Sequence, residues 1–189
     1  MTQYSTVPIR FEVKSKLSLD SPNGGLGGIV LYEEDVIPPY MKDYDEAKDG
    51  APILRLERFY TSNWVLFLAR EGGIPVGGAT VAFCTPEVQM LRAREDISVL
   101  WDIRVHPGHR RSRIGSALFS EAAKWSSERN CKYLRVETQD ANVPACRFYV
   151  RQGCVLGEIN RFAYSEPHVA HEIMLFWYLD LWNPPTLQP

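Results

Sequence analysis

Between residues 99 and 125 the apolar pattern changes period, and few folds accommodate what results. Up to Val105 the pattern alternates, which predicts Val99, Trp101, Ile103 and Val105 on one face of a strand and Leu100, Asp102 and Arg104 on the other. Pro107-Gly108 stops the strand. From Ile114 the apolar residues fall at Leu118, Ala122 and Trp125, the stripe of a helix lying on a sheet. A strand that passes through a short basic turn straight into a packed helix implies a sheet with helical cover.

The neighbouring segments repeat the theme. Trp64–Ala69 is a β-type run, Glu71-Gly72-Gly73-Ile74 is turn chemistry, and Val76–Phe83 completes a hairpin. Tyr133–Thr138 reads as a strand and Val143–Gln152 as a helix closed by Gly153, followed by strands near Cys154–Phe162 and Ile173–Tyr178. Upstream, a strand is expected near Val7–Val13, then the glycine-rich Asn23–Gly28 as a flexible connection rather than a phosphate cradle. Tyr32–Gly50, interrupted by Pro38-Pro39, reads as a short helix, a break and a surface loop. Thr85–Asp96 is polar and compatible with a helix. Only a mixed α/β sheet accounts for this order.

The turn between the strand and the helix carries the chemistry. Where a strand stops and a helix begins at once, the first-turn amides have no partner within the helix, and the positive end of the helix dipole adds to them. With Arg110, Arg111 and Arg113 beside that point, the segment reads as an anion site suited to a pyrophosphate, against the plainer alternative of a solvated basic cap.

Val105-x-Pro107 followed by Arg110-x-x-x-x-Gly115-x-Ala117 resembles the acetyl-CoA signature of the GNAT N-acetyltransferase superfamily, and the likeness extends over roughly residues 64–178. It implies a mixed, mostly antiparallel central sheet flanked by helices on both faces, with the coenzyme A pyrophosphate at Arg110, Arg111, Ser112, Arg113, Ile114, Gly115 and Ser116. The family pattern has glycine where this chain has Arg113; the amide survives the change, but a positive φ there would be strained. A second stretch, Asn142 to Tyr149 and then Gly153, is similar to the family's later motif. By that resemblance Asn142, Ala145 and Phe148 border the pantetheine arm, with Asn142 also a helix N-cap and Phe148 mainly core, and Tyr149 protonates the departing thiolate. Ile103, Arg104 and Val105 would lie along the thioester, their main-chain N–H groups stabilising the oxyanion. Asp102 and Glu137 are candidates to draw in the amine and relay its proton, or else form ion pairs with Arg104 or Arg135.

More narrowly, Glu137-Thr138-Gln139-Asp140 with Asn142, Phe148-Tyr149, Glu172-Ile173 and Phe176-Trp177-Tyr178 looks like the streptothricin acetyltransferase branch, whose members acetylate an amine of a cationic antibiotic. The resemblance therefore implies acetyl-CoA as cosubstrate and a small cationic amine as acceptor. A protein or peptide amine, or a module that senses acyl-CoA without turnover, are the other readings.

Composition narrows the field further. Lys+Arg 21 against Asp+Glu 23 leaves no basic face for nucleic acid. No apolar run is long enough for a membrane span, and Met1–Phe11 has no signal-peptide pattern, so the expectation is a cytoplasmic protein, monomer or homodimer. The 189 residues suit one domain, with about 183–189 as a loose tail. Cys84, Cys131, Cys146 and Cys154 contain no C-x-x-C pair and read as reduced, packed thiols. His106 and His109, like His168 and His171, lack a convincing third ligand, so no metal is expected.

Overall fold

The computed structural model describes residues 2–46 and 51–183. Strands β1 (Phe11–Asp20) and β2 (Val30–Lys42) form a hairpin of their own. Strands β3 (Val65–Glu71), β4 (Ile74–Ala82), β5 (Ile97–Val105), β6 (Tyr133–Gln139), β7 (Val155–Asn160) and β8 (Met174–Asp180) form a sheet in the order β3-β4-β5-β6-β8-β7. Its neighbouring strands are antiparallel except β5 and β6, which run parallel and are joined, as parallel strands must be, by a crossover containing α2 (Ile114–Ser127). Helix α1 (Arg55–Arg58) is a single turn, and α3 (Val143–Arg151) leads from β6 to β7. Among the described residues no helix is long and apolar enough to cross a membrane.

Leu118, Phe119 and Ala122 of α2 and Cys146 and Tyr149 of α3 pack on one side of the sheet, against Leu100, Leu134, Val136, Leu175 and Trp177. On the other side, Phe59 just after α1, with Val88 and Leu91 of the β4–β5 connection, closes over Ala82, Ile97 and Val99. All four cysteines are free thiols, and Cys131, Cys146 and Cys154 are buried.

One local irregularity decides which side chains reach which face. Thr80 pairs with Asp102 but Val81 with Leu100, so Trp101 is an extra residue in β5. The bulge overturns the expected alternation. Leu100, Ile103 and Val105 pack in the helix-side core, whereas Val99 and Trp101 belong to the opposite cluster. Asp102 and Arg104 therefore project away from α2, on the side of Trp101, because one inserted residue changes the face of every side chain after it.

The N-terminal third departs most from expectation. β1 starts at Phe11 rather than Val7, and the first part of Tyr32–Gly50, expected as a short helix and a break, belongs to β2 instead; a 3-10 turn follows at Tyr44–Glu46, and residues 47–50 of the expected loop lie outside the described residues. The acidic run of β2 is tolerable in a strand because Ser15 and Ser18 of β1 donate hydrogen bonds to Glu33 and Glu34. Its two prolines are tolerable because the register breaks there. Val13 pairs with Tyr40 but Ser15 with Asp35, so residues 36–39 bulge out and owe no N–H to the ladder. Asn23–Gly28 forms the tip of this hairpin. The expected helix over Thr85–Asp96 is reduced to a 3-10 turn at Gln89–Leu91, since Arg92 and Ala93 adopt φ of 52° and 53°, outside right-handed helix geometry. Of the expected C-terminal tail, residues 184–189 lie outside the described residues, while the Asn183 N–H donates to Asp180 Oδ1 at 2.9 Å.

Candidate active site

β5 and β6 pair only over Ile97–Val99 and Tyr133–Arg135, although both strands continue well beyond. The His106 N–H donates to Val76 O at 2.8 Å. In an antiparallel ladder, hydrogen-bonded positions alternate, so the main-chain groups of Asp102 and Arg104 face β4 while those of Ile103 and Val105 face the gap beside β6. A cavity of about 610 Å³ occupies that gap. Leu100 to Val105 line one wall, Val136 to Gln139 the other, and Asn142, Ala145, Phe148 and Tyr149 its helical end. An unpaired strand edge beside an apolar wall suits an extended, amide-bearing chain, which can pair with the edge as an added strand would.

At one mouth lies the turn into α2. Arg110 lines the cavity, but its Nε donates to Val105 O at 3.3 Å and its Nη2 to Arg10 O at 2.9 Å, tying the end of β5 to the N-terminal segment. Burial lowers the pKa of this guanidinium from its ordinary value. Gly115 also lines the cavity, whereas Arg111, Ser112 and Arg113 are exposed, and Ile114 packs on the core. The Ser116 hydroxyl accepts a hydrogen bond from Gln152 Nε2 at 3.1 Å. Helical bonding begins with the Ala117 N–H to Arg113 O at 3.0 Å, so the preceding amides of the first turn have no partner inside the helix. Both histidines of this turn are engaged locally: His106 Nδ1 accepts the Gly108 N–H at 3.2 Å, and His109 Nε2 lies 2.9 Å from Glu71 Oε2.

Arg113 is the N-cap of α2 and adopts φ 66°, ψ 0°, the left-handed conformation, with no capping bond from its side chain. A residue with a Cβ costs about 1–2 kcal/mol in that region, part of which returns to glycine as unfolded-state entropy. Arg113→Gly is accordingly expected to raise stability by up to about 1 kcal/mol, roughly 2–4 °C in Tm for a chain of this size, as read by thermal unfolding. A lower Tm would mean that the guanidinium makes a compensating interaction.

At the start of α3, Asn142 Oδ1 accepts the Ala145 N–H at 3.2 Å and caps the helix, while its Nδ2 donates to the Tyr44 hydroxyl at 3.2 Å. Capping thus ties the start of α3 to the segment after β2. Tyr149 is buried between Phe119 and Phe148 and lines the cavity. Its hydroxyl forms no hydrogen bond with the described residues, and burial raises its pKa well above the ordinary phenol value.

The two candidate carboxylates have different surroundings. Asp102 is buried against Arg104, whose fully buried guanidinium also binds Asp45 Oδ2 at 2.8 Å and Val7 O at 3.1 Å and lies over the Tyr4 ring. The pairing expected with Arg104 thus exists as an interior network rather than a surface bridge. Glu137 does not pair with Arg135, which binds Glu158 at 3.2 Å and Met90 O at 2.6 Å. Its Oε1 instead accepts from the Tyr164 hydroxyl at 2.8 Å and Gln139 Nε2 at 3.2 Å. Burial raises the Glu137 pKa above the ordinary carboxylate value despite those donors. The helix-side wall therefore brings a phenol to the gap, and the opposite side brings carboxylates and aromatic rings.

A family model described as the acetyltransferase (GNAT) family matches residues 30–154. The chain belongs to that family. It is 27% identical over 152 residues to streptothricin acetyltransferase A of Bacillus subtilis (strain 168), covering 80% of each chain. Two solved structures share the fold. A nourseothricin acetyltransferase superposes with a TM-score of 0.72 at 22% identity, over 95% of this chain and 92% of its own. A Bacillus anthracis protein assigned as a streptothricin acetyltransferase, solved with acetyl coenzyme A, gives 0.71 at 24%, over 92% and 90%.

In this GNAT acetyltransferase the site also contains residues that no sequence signal marked. Tyr44, Phe11 and Trp101 line the cavity, and Asp45 completes the Arg104 network. Tyr44 reaches the site only because the β1–β2 hairpin packs against α3 and the segment after β6, through the Leu17 N–H to Asp140 O and Arg147 to Glu33, an event with no local signature. Gln139 belongs to the Glu137–Asp140 stretch, whose resemblance implies no role for it, and Tyr164 lies between β7 and β8 in a segment without regular period.

Proposed function

We propose that the chain transfers the acetyl group of acetyl-CoA to a primary amine of a small cationic molecule of the streptothricin kind. The observation that carries the reading is the gap between β5 and β6, where Tyr149 approaches from the helix side and Glu137 projects from the side opposite α2 and α3. In this reading acetyl-CoA supplies the activated acyl group as a thioester. Ile103 and Val105 hold its extended arm along the strand edge, and the first-turn amides of α2, supported by Arg110, hold the pyrophosphate. As the N–C bond forms and the C–S bond breaks, Glu137 takes the proton from the amine and Tyr149 gives one to sulfur. Arg104 stays out of the chemistry: its side chain is bonded to carboxylates and its main chain faces β4.

The acceptor class has two supports. The Bacillus subtilis relative bears the name of a streptothricin-modifying enzyme. The face opposite the helices presents Glu137 and Trp101, and Tyr44 also lines the cavity, a carboxylate with rings suited to an alkylammonium, Asp102 being already paired with Arg104. Free-thiol release from acetyl-CoA, measured with streptothricin, polyamines, aminoglycosides and peptides in parallel, is expected to be fastest with streptothricin. Preference for peptides would overturn the acceptor class. Binding of acetyl-CoA without thiol release from any amine would overturn catalysis.

A further inference from the structure

Glu137 and Gln139 lie on the same face of β6, two residues apart, and a side chain from outside the sheet meets them both. Tyr164 receives a hydrogen bond from Gln139 Nε2 at 2.6 Å and gives one to Glu137 Oε1 at 2.8 Å. An amide nitrogen only donates, so the phenol oxygen must accept from Gln139, which directs its single proton to the carboxylate. Oε1 is thereby held by two donors, Tyr164 and Gln139, while Oε2 has no hydrogen bond to the described residues. Tyr164 does not line the cavity, whereas Glu137 and Gln139 do.

We propose that Tyr164 is a positioning residue that keeps Glu137 ionised and fixes which of its oxygens receives the amine proton. This rests on the acetyltransferase reading above. Oε1 is saturated and Oε2 remains as the acceptor; the proton passes from the amine nitrogen to Oε2, and Tyr164 keeps its own proton throughout. A phenol suits the task. Burial and the neighbouring Glu137 charge raise the Tyr164 pKa, so it remains a donor across the working range. The other charged or titratable groups around Glu137 direct their hydrogen bonds elsewhere, although the Arg135 charge also lowers the Glu137 pKa. On β6 itself, Arg135 is bound to Glu158 of β7 and to Met90 O. On β5, Asp102 is bound to Arg104. Tyr44 receives its hydrogen bond from Asn142, and Tyr178 of β8 donates to Glu158. Tyr164 is thus the neutral donor that stabilises the carboxylate without neutralising it, which an arginine in its place would do.

The test compares wild type with Tyr164→Phe, using streptothricin as acceptor and kcat/KM measured across pH. Removing the donor is expected to raise the affinity of Glu137 for a proton about tenfold, the factor a hydrogen bond to a charged group contributes. The acidic limb then moves to higher pH by about one unit, rates converge at alkaline pH, and KM for acetyl-CoA stays unchanged. The acceptor amine is the same in both proteins, so its own titration cancels. An acidic limb left in place, or a uniform loss at every pH, would overturn the proposal. An NMR titration of the Glu137 side-chain carboxyl carbon, identified by its disappearance in Glu137→Gln, gives the same comparison without turnover. Its midpoint must rise in Tyr164→Phe. Should that variant fail to fold, Gln139→Met is expected to move the midpoint in the same direction by less. Wild-type protein that acetylates no amine overturns the function itself, whereas normal turnover with an unmoved Glu137 midpoint overturns only the role of Tyr164.

Discussion

Tyr149→Phe is expected to lower kcat by roughly a hundred- to ten-thousand-fold, the range that a positioned general acid contributes, while KM for acetyl-CoA changes little. The expectation follows from what the substitution leaves intact. The ring packs against Phe119 and Phe148, with centroids 6.1 and 5.3 Å away, and phenylalanine keeps those contacts. The hydroxyl has no partner among the described residues, so its removal orphans no buried group and the fold should lose little. Burial makes the phenol a weaker acid than in water, but a thiolate leaving beside the same buried hydroxyl is a stronger base to the extent that it too is desolvated, so the transfer stays feasible. Steady-state rates with saturating amine, alongside thermal unfolding, separate lost chemistry from lost structure. Undiminished turnover would remove Tyr149 from the mechanism.

Arg104→Ala carries the largest expected effect on stability. The guanidinium is fully buried, bonded to Asp102, Asp45 and Val7 O, and seated over Tyr4. Deleting one partner of a buried ion pair leaves the other desolvated and uncompensated, at about 3–5 kcal/mol. That is a large share of the roughly 5–15 kcal/mol by which domains of this kind are stable. Because Asp102 is the deeper of the two carboxylates, with its side chain 2% exposed against 25% for Asp45, most of the loss should trace to Asp102. Adding Asp102→Asn to Arg104→Ala should therefore recover part of it, and denaturant unfolding of the double-mutant cycle measures that coupling. Additive losses would show that Arg104 is not energetically coupled to Asp102.

How far such positions could be foreseen depended on whether their signal was local. The path from β5 through the turn to α2, and from β6 to α3, was legible because alternation, Pro107, the Asn142 cap and Gly153 each act within a few residues. The Trp101 bulge was not, since residues 99–105 place apolar side chains in both registers and only the pairing partner distinguishes them. The β2 strand was obscured by Pro38 and Pro39, which belong to a bulge that exists only in the context of β1. The positive φ at Arg113 could be anticipated as a condition, from the glycine the family pattern has there, but not as a fact. Tyr44 and Tyr164 were invisible for a different reason: their partners, Asn142 and Glu137, are distant in the chain, and long-range pairs leave no periodic trace.

The central claim is that the divergence of β5 and β6 makes a place for the thioester arm. Calorimetric titration of acetyl-CoA into the purified protein tests it most directly. A saturable exothermic or endothermic isotherm with one site per chain, weakened by bulk introduced at Ala145 on the cavity wall, is the predicted outcome. Heats indistinguishable from dilution, or an isotherm that the Ala145 change leaves untouched, would contradict it.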